Sequence, residues 1–142
     1  MQKIKIKRLY GKSMIPTKGS SCSAGYDLYA AGSYLVKANS NVKVETGIIL
    51  EIPINYFGAV FARSGLATNN GIIPANCVGI IDSDYRGEII VPIHNNFKND
   101  YLIKYNDRIA QLIIIPFLNV NFEESEELSN TSRGNSGFGS TN

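Results

Sequence analysis

Apolar residues in this chain recur in short runs that are separated by turn-forming residues. Strict alternation in Asn41-Val42-Lys43-Val44-Glu45 is typical of a strand with one solvated face. The nearly continuous apolar runs Ile48 to Ile52 and Leu112 to Ile115 suit strands that are buried on both faces. The pattern predicts six strands, which are Ile4 to Leu9, Tyr34 to Val36, Val42 to Ile52, Tyr56 to Ala62, Ile89 to Ile93 and Ala110 to Phe117.

Little helix is expected, because no window of helix length carries an apolar stripe at spacings i, i+3 and i+4. A single helical turn near Leu66 to Asn69 is the most that the pattern allows. Many short strands with Gly, Asn and Pro turns predict an all-β sandwich, jelly roll or distorted barrel. We expect a β domain over residues 1–128 and a flexible glycine-rich C-terminal arm over residues 129–142.

Composition narrows the classes of function. The chain has 142 residues, of which 44% are hydrophobic and 18% charged, which indicates one compact domain. A net charge of +2 gives no general attraction to nucleic acid or to an anionic membrane. Cys22 and Cys77 lie far apart, so neither a disulfide framework nor a zinc site is supported. We therefore expect a soluble, cytoplasmic protein without a nucleic-acid or membrane partner.

Polar clusters lie at the ends of several predicted strands. In the cluster that begins at Ala62, Arg63, Ser64 and the backbone of Gly65 could hold phosphate oxygens. An arginine ion pair beside a serine-capped helical turn would explain the same residues. Asp27 could simply brace a turn, and a buried ion pair is the preferred explanation for Arg108.

The cluster from Gly79 to Glu88 is rich in acids. Asp82 and Asp84 are two residues apart and would share one face of a regular strand, although a solvated turn is the simpler explanation. The apolar pair before Asp82 favours a carboxylate that is held in a fixed position. His94 is the only histidine, so a Ser-His-Asp mechanism lacks its second member.

Taken in order, five segments resemble the motifs of the homotrimeric dUTP pyrophosphatase (dUTPase) family. They are AGYDLYA from Ala24, ARSGLA from Ala62, GIIDSDYRGE from Gly79, DRIAQLI from Asp107 and RGNSGFGST from Arg133. The resemblance spans nearly the whole chain, and the order and spacing of five motifs are specific where one motif is not. It implies a distorted jelly-roll or β-barrel subunit that assembles as a homotrimer, with each active site built from motifs of all three chains.

The resemblance also implies the reaction. The family hydrolyses dUTP to dUMP and pyrophosphate with Mg²⁺, which limits uracil incorporation into DNA and supplies dUMP for thymidylate synthesis. Asp82 matches the catalytic aspartate that orients and deprotonates the attacking water, for which an ionised carboxylate is suited. Tyr85 matches the ring that packs on deoxyribose and leaves no room for a 2′-hydroxyl.

Other matches concern binding. The residues that match the uracil-reading hairpin are Asn76, Gly79, Ile80 and Ile81, and those that match phosphate contacts are Arg63, Ser64, Gly65 and Gln111. The family's metal is held by the triphosphate and water, so no direct protein ligand is expected and Asp27 would reach Mg²⁺ at most through water. In the arm, Phe138 would stack on uracil while the remaining matches close over the phosphates as a lid, namely Arg133, Gly139, Ser140 and Thr141.

Two alternatives remain open. A dCTP deaminase shares the fold, but Pro92 stands where that class has its general-base glutamate, and a proline cannot act as a base. A non-catalytic β-sandwich module would have no need for Asp82, Tyr85, Gln111 and Phe138 together. One departure from the family pattern is Asn106, which stands where a glycine often precedes the Asp-Arg pair.

Overall fold

The computed structural model describes residues 3–138 of the chain. Over this part the backbone forms twelve strands and one helix. In chain order they are β1 (Lys5–Arg8), β2 (Thr17–Lys18), β3 (Tyr26–Tyr29), β4 (Tyr34–Val36), β5 (Asn41–Glu45), β6 (Ile48–Glu51), β7 (Tyr56–Phe61), α1 (Ser64–Asn70), β8 (Ile72–Pro74), β9 (Gly79–Ile81), β10 (Ile90–Asn95), β11 (Tyr101–Ile103) and β12 (Arg108–Pro116).

The strands pair with partners that are distant in sequence. The largest sheet has the order β2-β3-β12-β7-β9, and a second sheet has the order β5-β10-β8. Two further pairs are β1 with β6 and β4 with β11, and every pairing is antiparallel. The fold is therefore an all-β distorted jelly roll, which confirms the predicted fold class.

Side chains from both larger sheets meet in one hydrophobic core. Leu28 and Leu112 enter it from the five-stranded sheet, while Val44 and Ile93 enter it from the three-stranded sheet. Leu28, Val44 and Ile93 are completely buried. Each such side chain stabilises the fold by about 1.5–3 kcal/mol relative to an exposed position. The apolar positions of the alternating sequence around Val44 thus lie on the inward face of β5.

The six predicted strands are present, but one predicted segment is divided. Val42 to Ile52 forms β5 and β6 with a break at Thr46 and Gly47, so the prediction of one continuous strand is wrong. Gly47 has φ of +68°, and a Cβ there would lie 2.9 Å from Cβ of Ser13. The apolar pattern continues across this break because both strands contribute to the same core.

The sequence pattern did not predict β2, β3, β8, β9 and β11, which have two to four residues each, although it did predict β4, which has three. The helical turn was predicted correctly and extends over Ser64–Asn70. It ends at Gly71, which has φ of +66° and donates its N–H to Ala67 O at 3.1 Å. This is a helix end of the left-handed type that favours glycine.

Beyond β12, residues 117–138 form neither strand nor helix. Leu118, Val120 and Phe122 alternate along this segment and are 83%, 54% and 98% exposed. The division at residue 128 between domain and arm stays a prediction. No helix in the described part of the chain is long and apolar enough to cross a membrane.

Asn95 links three segments through a fully buried side chain. Its Nδ2 donates to Val36 O at 3.1 Å and to Asn99 O at 2.9 Å, while Oδ1 accepts from Phe97 N at 2.9 Å. Such groups lose water on folding, so their hydrogen bonds must be replaced within the protein.

We expect Asn95→Leu to lower the free energy of unfolding by about 2–4 kcal/mol, because leucine is branched at Cγ like asparagine but leaves these backbone groups without their partner. Urea unfolding at a fixed protein concentration measures the loss. Asn121→Leu is the matched control, since Asn121 is exposed, and should change stability by less than about 0.5 kcal/mol. Equal effects of the two substitutions would contradict the role of Asn95.

Candidate functional site

The register of β12 brings three of the polar clusters together. Gln111 on β12 lies opposite Asp27 on β3 and opposite Phe61 on β7. Its Nε2 donates to Ala62 O at 2.8 Å, just before Arg63. Because β12 is hydrogen-bonded on both sides, clusters that are far apart in sequence meet at one end of the five-stranded sheet.

Asp27 connects the two arginines at this end. Its Oδ1 is 2.8 Å from Nε of Arg63, and its Oδ2 is 3.3 Å from Nη1 of Arg108. The Asp27 side chain is 13% exposed, that of Arg63 26% and that of Arg108 51%. The ion pairs expected for Arg63 and Arg108 are therefore confirmed, but the Arg108 side chain is half exposed and its pair is not buried. Asp27 lies in β3, so its assignment to a turn is wrong.

The residues predicted to contact phosphate line one cavity of about 700 Å³. They are Arg63, Ser64, Gly65 and Gln111, and Asp27 and Arg108 are in the same lining. Arg63 stands at the start of α1 without a side-chain cap, so the prediction that Ser64 caps the helix is wrong. We call this space the Arg63 cavity. With two arginines and one aspartate, its lining has an excess of positive charge that suits an anionic ligand.

A second cavity, of about 240 Å³, contains the predicted catalytic carboxylate. We call it the Asp82 cavity, and its lining includes the predicted residues Asn76, Gly79, Ile80, Ile81, Asp82 and Tyr85. Asp82 directly follows β9 and its carboxylate has no hydrogen bond or ion pair within residues 3–138. The carboxylate is therefore exposed to whatever occupies this cavity.

A turn separates Asp82 from Tyr85, whose backbone N–H donates to Asp82 O at 3.2 Å. Asp82 and Asp84 therefore do not share the face of a regular strand. No hydrogen bond among residues 3–138 holds the Asp82 carboxylate, so its fixed position stays a prediction. Arg86 braces the turn, because its Nη1 donates to Ser83 O at 2.7 Å and to Tyr85 O at 2.9 Å.

Glu88 is a residue of this cavity that the motif comparison did not single out. Its Oε1 accepts the backbone N–H of Gly47 at 2.6 Å, and its backbone O accepts the Tyr85 hydroxyl at 3.0 Å. The carboxylate of Glu88, followed by that of Glu45, raises the pKa of Tyr10. The position of Glu88 directly before the apolar run that leads into β10 could have predicted that its carboxylate is held in a fixed position.

Two of the predicted substrate contacts in the arm lie within the described residues, and neither lines the Arg63 cavity or the Asp82 cavity. Arg133 is exposed and donates from Nε to Ser136 O at 3.0 Å, while Phe138 is fully exposed with φ of +50°. The predicted contacts Gly139, Ser140 and Thr141 lie outside the described residues. Within one chain the predicted site is thus present as separate parts.

The metal-binding capacity of the described residues is limited. Within residues 3–138, no group of three or more His, Cys, Asp or Glu residues could hold a metal ion. The Asp27 carboxylate is already shared by two arginines. Cys22 and Cys77 are both free and exposed.

One jelly-roll chain thus carries a cavity with two arginines, which suits an anionic ligand, and a separate cavity in which the Asp82 carboxylate has no partner within residues 3–138. The dUTPase family model matches residues 12–142 of this chain. The chain therefore belongs to the dUTPase family.

Individual relatives agree with this assignment. The deoxyuridine 5′-triphosphate nucleotidohydrolase of Syntrophotalea carbinolica is 46% identical over 140 residues, which cover 97% of this chain and 95% of that protein. The protein of the same name from Candida albicans is 44% identical over 142 residues, covering 99% of this chain and 88% of that protein. The structure of Staphylococcus bacteriophage 80alpha dUTPase with dUPNHPP is 25% identical, has a TM-score of 0.93, and covers 100% of this chain and 99% of that chain.

We expect Asp27→Asn to lower the free energy of unfolding by about 1–3 kcal/mol, because it removes charged hydrogen bonds from a mostly buried position. Chemical denaturation at fixed protein concentration measures this loss. Glu51→Gln is the matched control. It removes an ion pair with Lys5 whose side chains are 49% and 81% exposed, so a change below about 0.5 kcal/mol is expected. A loss at Asp27 no larger than that at Glu51 would show that the Asp27 pairs do not support this end of the sheet.

Proposed function

We propose that this protein is a dUTP diphosphatase, which hydrolyses dUTP to dUMP and pyrophosphate. The observation that carries the proposal is the placement of Asp82 and Tyr85 in one cavity of a chain that belongs to the dUTPase family. The activity would limit uracil incorporation into DNA and supply dUMP for thymidylate synthesis. The cytoplasmic location expected from the sequence stays a prediction.

In the proposed reaction, Asp82 acts as the general base. Its carboxylate is exposed within the cavity, and no protein group among residues 3–138 competes for it. A water molecule held by this carboxylate transfers a proton to it while the water oxygen forms a bond to the α-phosphorus. The bond from the α-phosphorus to the bridging oxygen breaks, and pyrophosphate leaves.

Base and sugar are selected in the same cavity. β9 is at the edge of the five-stranded sheet, so the outer side of Gly79, Ile80 and Ile81 offers backbone N–H and C=O groups to a ligand. Uracil would be read by these groups together with Asn76. Cytosine exchanges a donor and an acceptor and would leave buried polar groups unpaired. The Tyr85 ring would exclude a 2′-hydroxyl by steric contact.

The triphosphate would bind in the Arg63 cavity. Arg63, Ser64, Gly65 and Gln111 offer cationic and neutral donors that stabilise the charge on the leaving pyrophosphate. A Mg²⁺ ion fits this cavity only as an ion held by phosphate oxygens and water, because Asp27 is bound to both arginines. Bound in this way, Mg²⁺ would supply charge neutralisation, and Asp27 would reach it through water.

Complete sites require more than one chain, and we propose a homotrimer. The Arg63 cavity, the Asp82 cavity and the arm are three separate parts of one subunit. A ring of three chains can bring one part from each chain to every junction. The alternating exposed residues Leu118, Val120 and Phe122 suit a segment that packs as an extended strand on a neighbouring chain. Arg133 and Phe138, with Gly139, Ser140 and Thr141, would then close over the substrate of another subunit.

The proposed function predicts a marked preference among nucleotide substrates. With Mg²⁺, the purified protein should release pyrophosphate from dUTP at least about 100-fold faster than from UTP, dCTP or dTTP, since steric and hydrogen-bond mismatches each reduce the rate by about this factor. A coupled pyrophosphate assay measures the four rates. Comparable turnover of UTP would contradict the role of Tyr85, and absence of turnover would favour a non-catalytic module.

An ammonia assay with dCTP separates hydrolysis from deamination. Pro92 lines the Asp82 cavity, so position 92 presents no carboxylate there. Glu88 is the other acid in that lining, and its carboxylate accepts the Gly47 N–H at 2.6 Å. Ammonia release from dCTP would contradict the proposed reaction.

A second prediction tests shared sites. Asp82→Asn and Arg63→Ala should each lower turnover by at least about 100-fold, because one removes the base and the other a phosphate contact. Unfolding the two variants together and refolding them at equal amounts should restore about a quarter of wild-type turnover, since that share of junctions combines two intact parts.

The matched control pairs Asp82→Asn with Asn76→Ala, which removes a proposed contact to uracil and should itself lower turnover of dUTP. Both changes affect the Asp82 cavity, so every junction in a mixed trimer carries a defect and no recovery is expected. Failure of Asp82→Asn and Arg63→Ala to complement, although mixed trimers form, would mean that one chain supplies both cavities of a site.

A further inference from the structure

We propose that Gly87 is a specificity-determining residue, which acts by holding the Tyr85 ring in the position where it excludes a ribose 2′-hydroxyl. This inference rests on the proposed function, because it assigns a cause to the sugar selection of that site. Gly87 itself is absent from the lining of the Asp82 cavity, and its effect would pass through Tyr85.

The Tyr85 ring lies directly against Gly87. A Cβ built on Gly87 would overlap the hydroxyl oxygen and Cζ of Tyr85, and it would lie 2.8 Å from Cε2. Real Cβ atoms essentially never approach other heavy atoms so closely, so a side chain at position 87 requires a shift, and the atoms in its way belong to the Tyr85 ring. An aromatic ring moves as a rigid unit, and rotation of its side chain changes the position of every atom in it.

Backbone conformation does not explain the glycine at this position. Gly47, Gly71 and Gly134 are the described glycines with positive φ, and Gly87 is not among them. Other residues could therefore adopt its backbone angles without the left-handed penalty. The requirement for glycine at position 87 is steric, and the group that requires it is Tyr85.

Hydrogen bonds hold the ring against this surface. The Tyr85 hydroxyl donates to Glu88 O at 3.0 Å, and the Glu88 carboxylate is itself anchored by the Gly47 N–H at 2.6 Å. At the other end of the residue, Arg86 donates to Tyr85 O at 2.9 Å. Tyr85 is 44% exposed, so these contacts, and not burial, define where its ring lies.

Exclusion of one hydroxyl oxygen requires a fixed ring. A displacement of about 1 Å at a positioning group can change a rate by about 100-fold. Substitution of Gly87 would displace the Tyr85 hydroxyl from Glu88 O, and the three atoms nearest to a Cβ at position 87 all belong to Tyr85 and none to Asp82. The substitution should therefore change sugar selection much more than the chemical step on dUTP.

The experiment compares kcat/KM for dUTP and for UTP in wild type, Gly87→Ala and Gly11→Ala. Gly11 is the matched control, because it is exposed, has no positive φ and has no atom within 4 Å of a built Cβ. We expect Gly87→Ala to lower the ratio of dUTP to UTP at least about tenfold. Gly11→Ala should keep the wild-type ratio.

A double-mutant cycle shows whether Tyr85 transmits the effect. In a Tyr85→Ala background, Gly87→Ala should cause no further fall in the ratio, because the ring is already absent. A further fall would overturn the proposal, and so would an unchanged ratio in the single Gly87→Ala variant. An equal loss of both activities at constant ratio would assign Gly87 a purely structural role and would also overturn it.

If Gly87→Ala fails to fold, the ratio of dUTP to UTP turnover in Tyr85→Phe tests the proposal. This substitution keeps the ring but removes the bond to Glu88 O, and the ratio should fall about three- to tenfold. An unchanged ratio would overturn the proposal. Absence of dUTP turnover in the wild type is a different result, since it contradicts the proposed function before Gly87 is tested.

Discussion

The pairing of β12 with β3 on one side and β7 on the other is the interaction on which the rest of the molecule depends. It joins β2 and β3 to β7 and β9 in one five-stranded sheet, and it buries Ala110 and Leu112 in the core. The same ladder sets Gln111 opposite Asp27, and it thereby brings Asp27 to the two arginines. Since the side-chain period of a strand is two, a slip of one residue would turn Gln111 inward and dismantle core and polar end together.

Sequence reasoning was successful where a pattern is long or a motif is specific. The strand around Val44 has a clear alternation, the strand around Leu112 has a continuous apolar run, and α1 has a glycine at its end. The short strands have too few residues to show a period, and β3 was interpreted as a turn because Gly25 and Asp27 are turn-forming residues in isolation. The break at Gly47 was missed because the strands before and after it both have apolar residues, since both pack into the same core.

For the site, motif comparison named residues in both cavities but could not show which of them share a cavity. Asp82 and Tyr85 lie together, whereas Arg63 lies elsewhere on the same subunit. That arrangement depends on the order of strands in the sheet, which is a long-range property. Glu88 and Gly87 were passed over because their contacts are made to Gly47 and to the back of the Tyr85 ring, and neither contact leaves a local pattern.

The exposed, alternating apolar residues Leu118, Val120 and Phe122 bear on two questions, which are how a truncated chain affects normal chains and how the assembly could be inhibited. On the proposed assembly, each chain lends its arm to a site that it does not otherwise form, so a chain with a damaged arm harms its neighbours and keeps its own cavities intact. In a mixed trimer each missing arm would disable one of the three sites, so activity would fall in proportion to the share of truncated chains. The same dependence offers a route to inhibition, since a short peptide that copies residues 118–122 could occupy the surface on which a neighbour's segment must pack before its arm can reach the site.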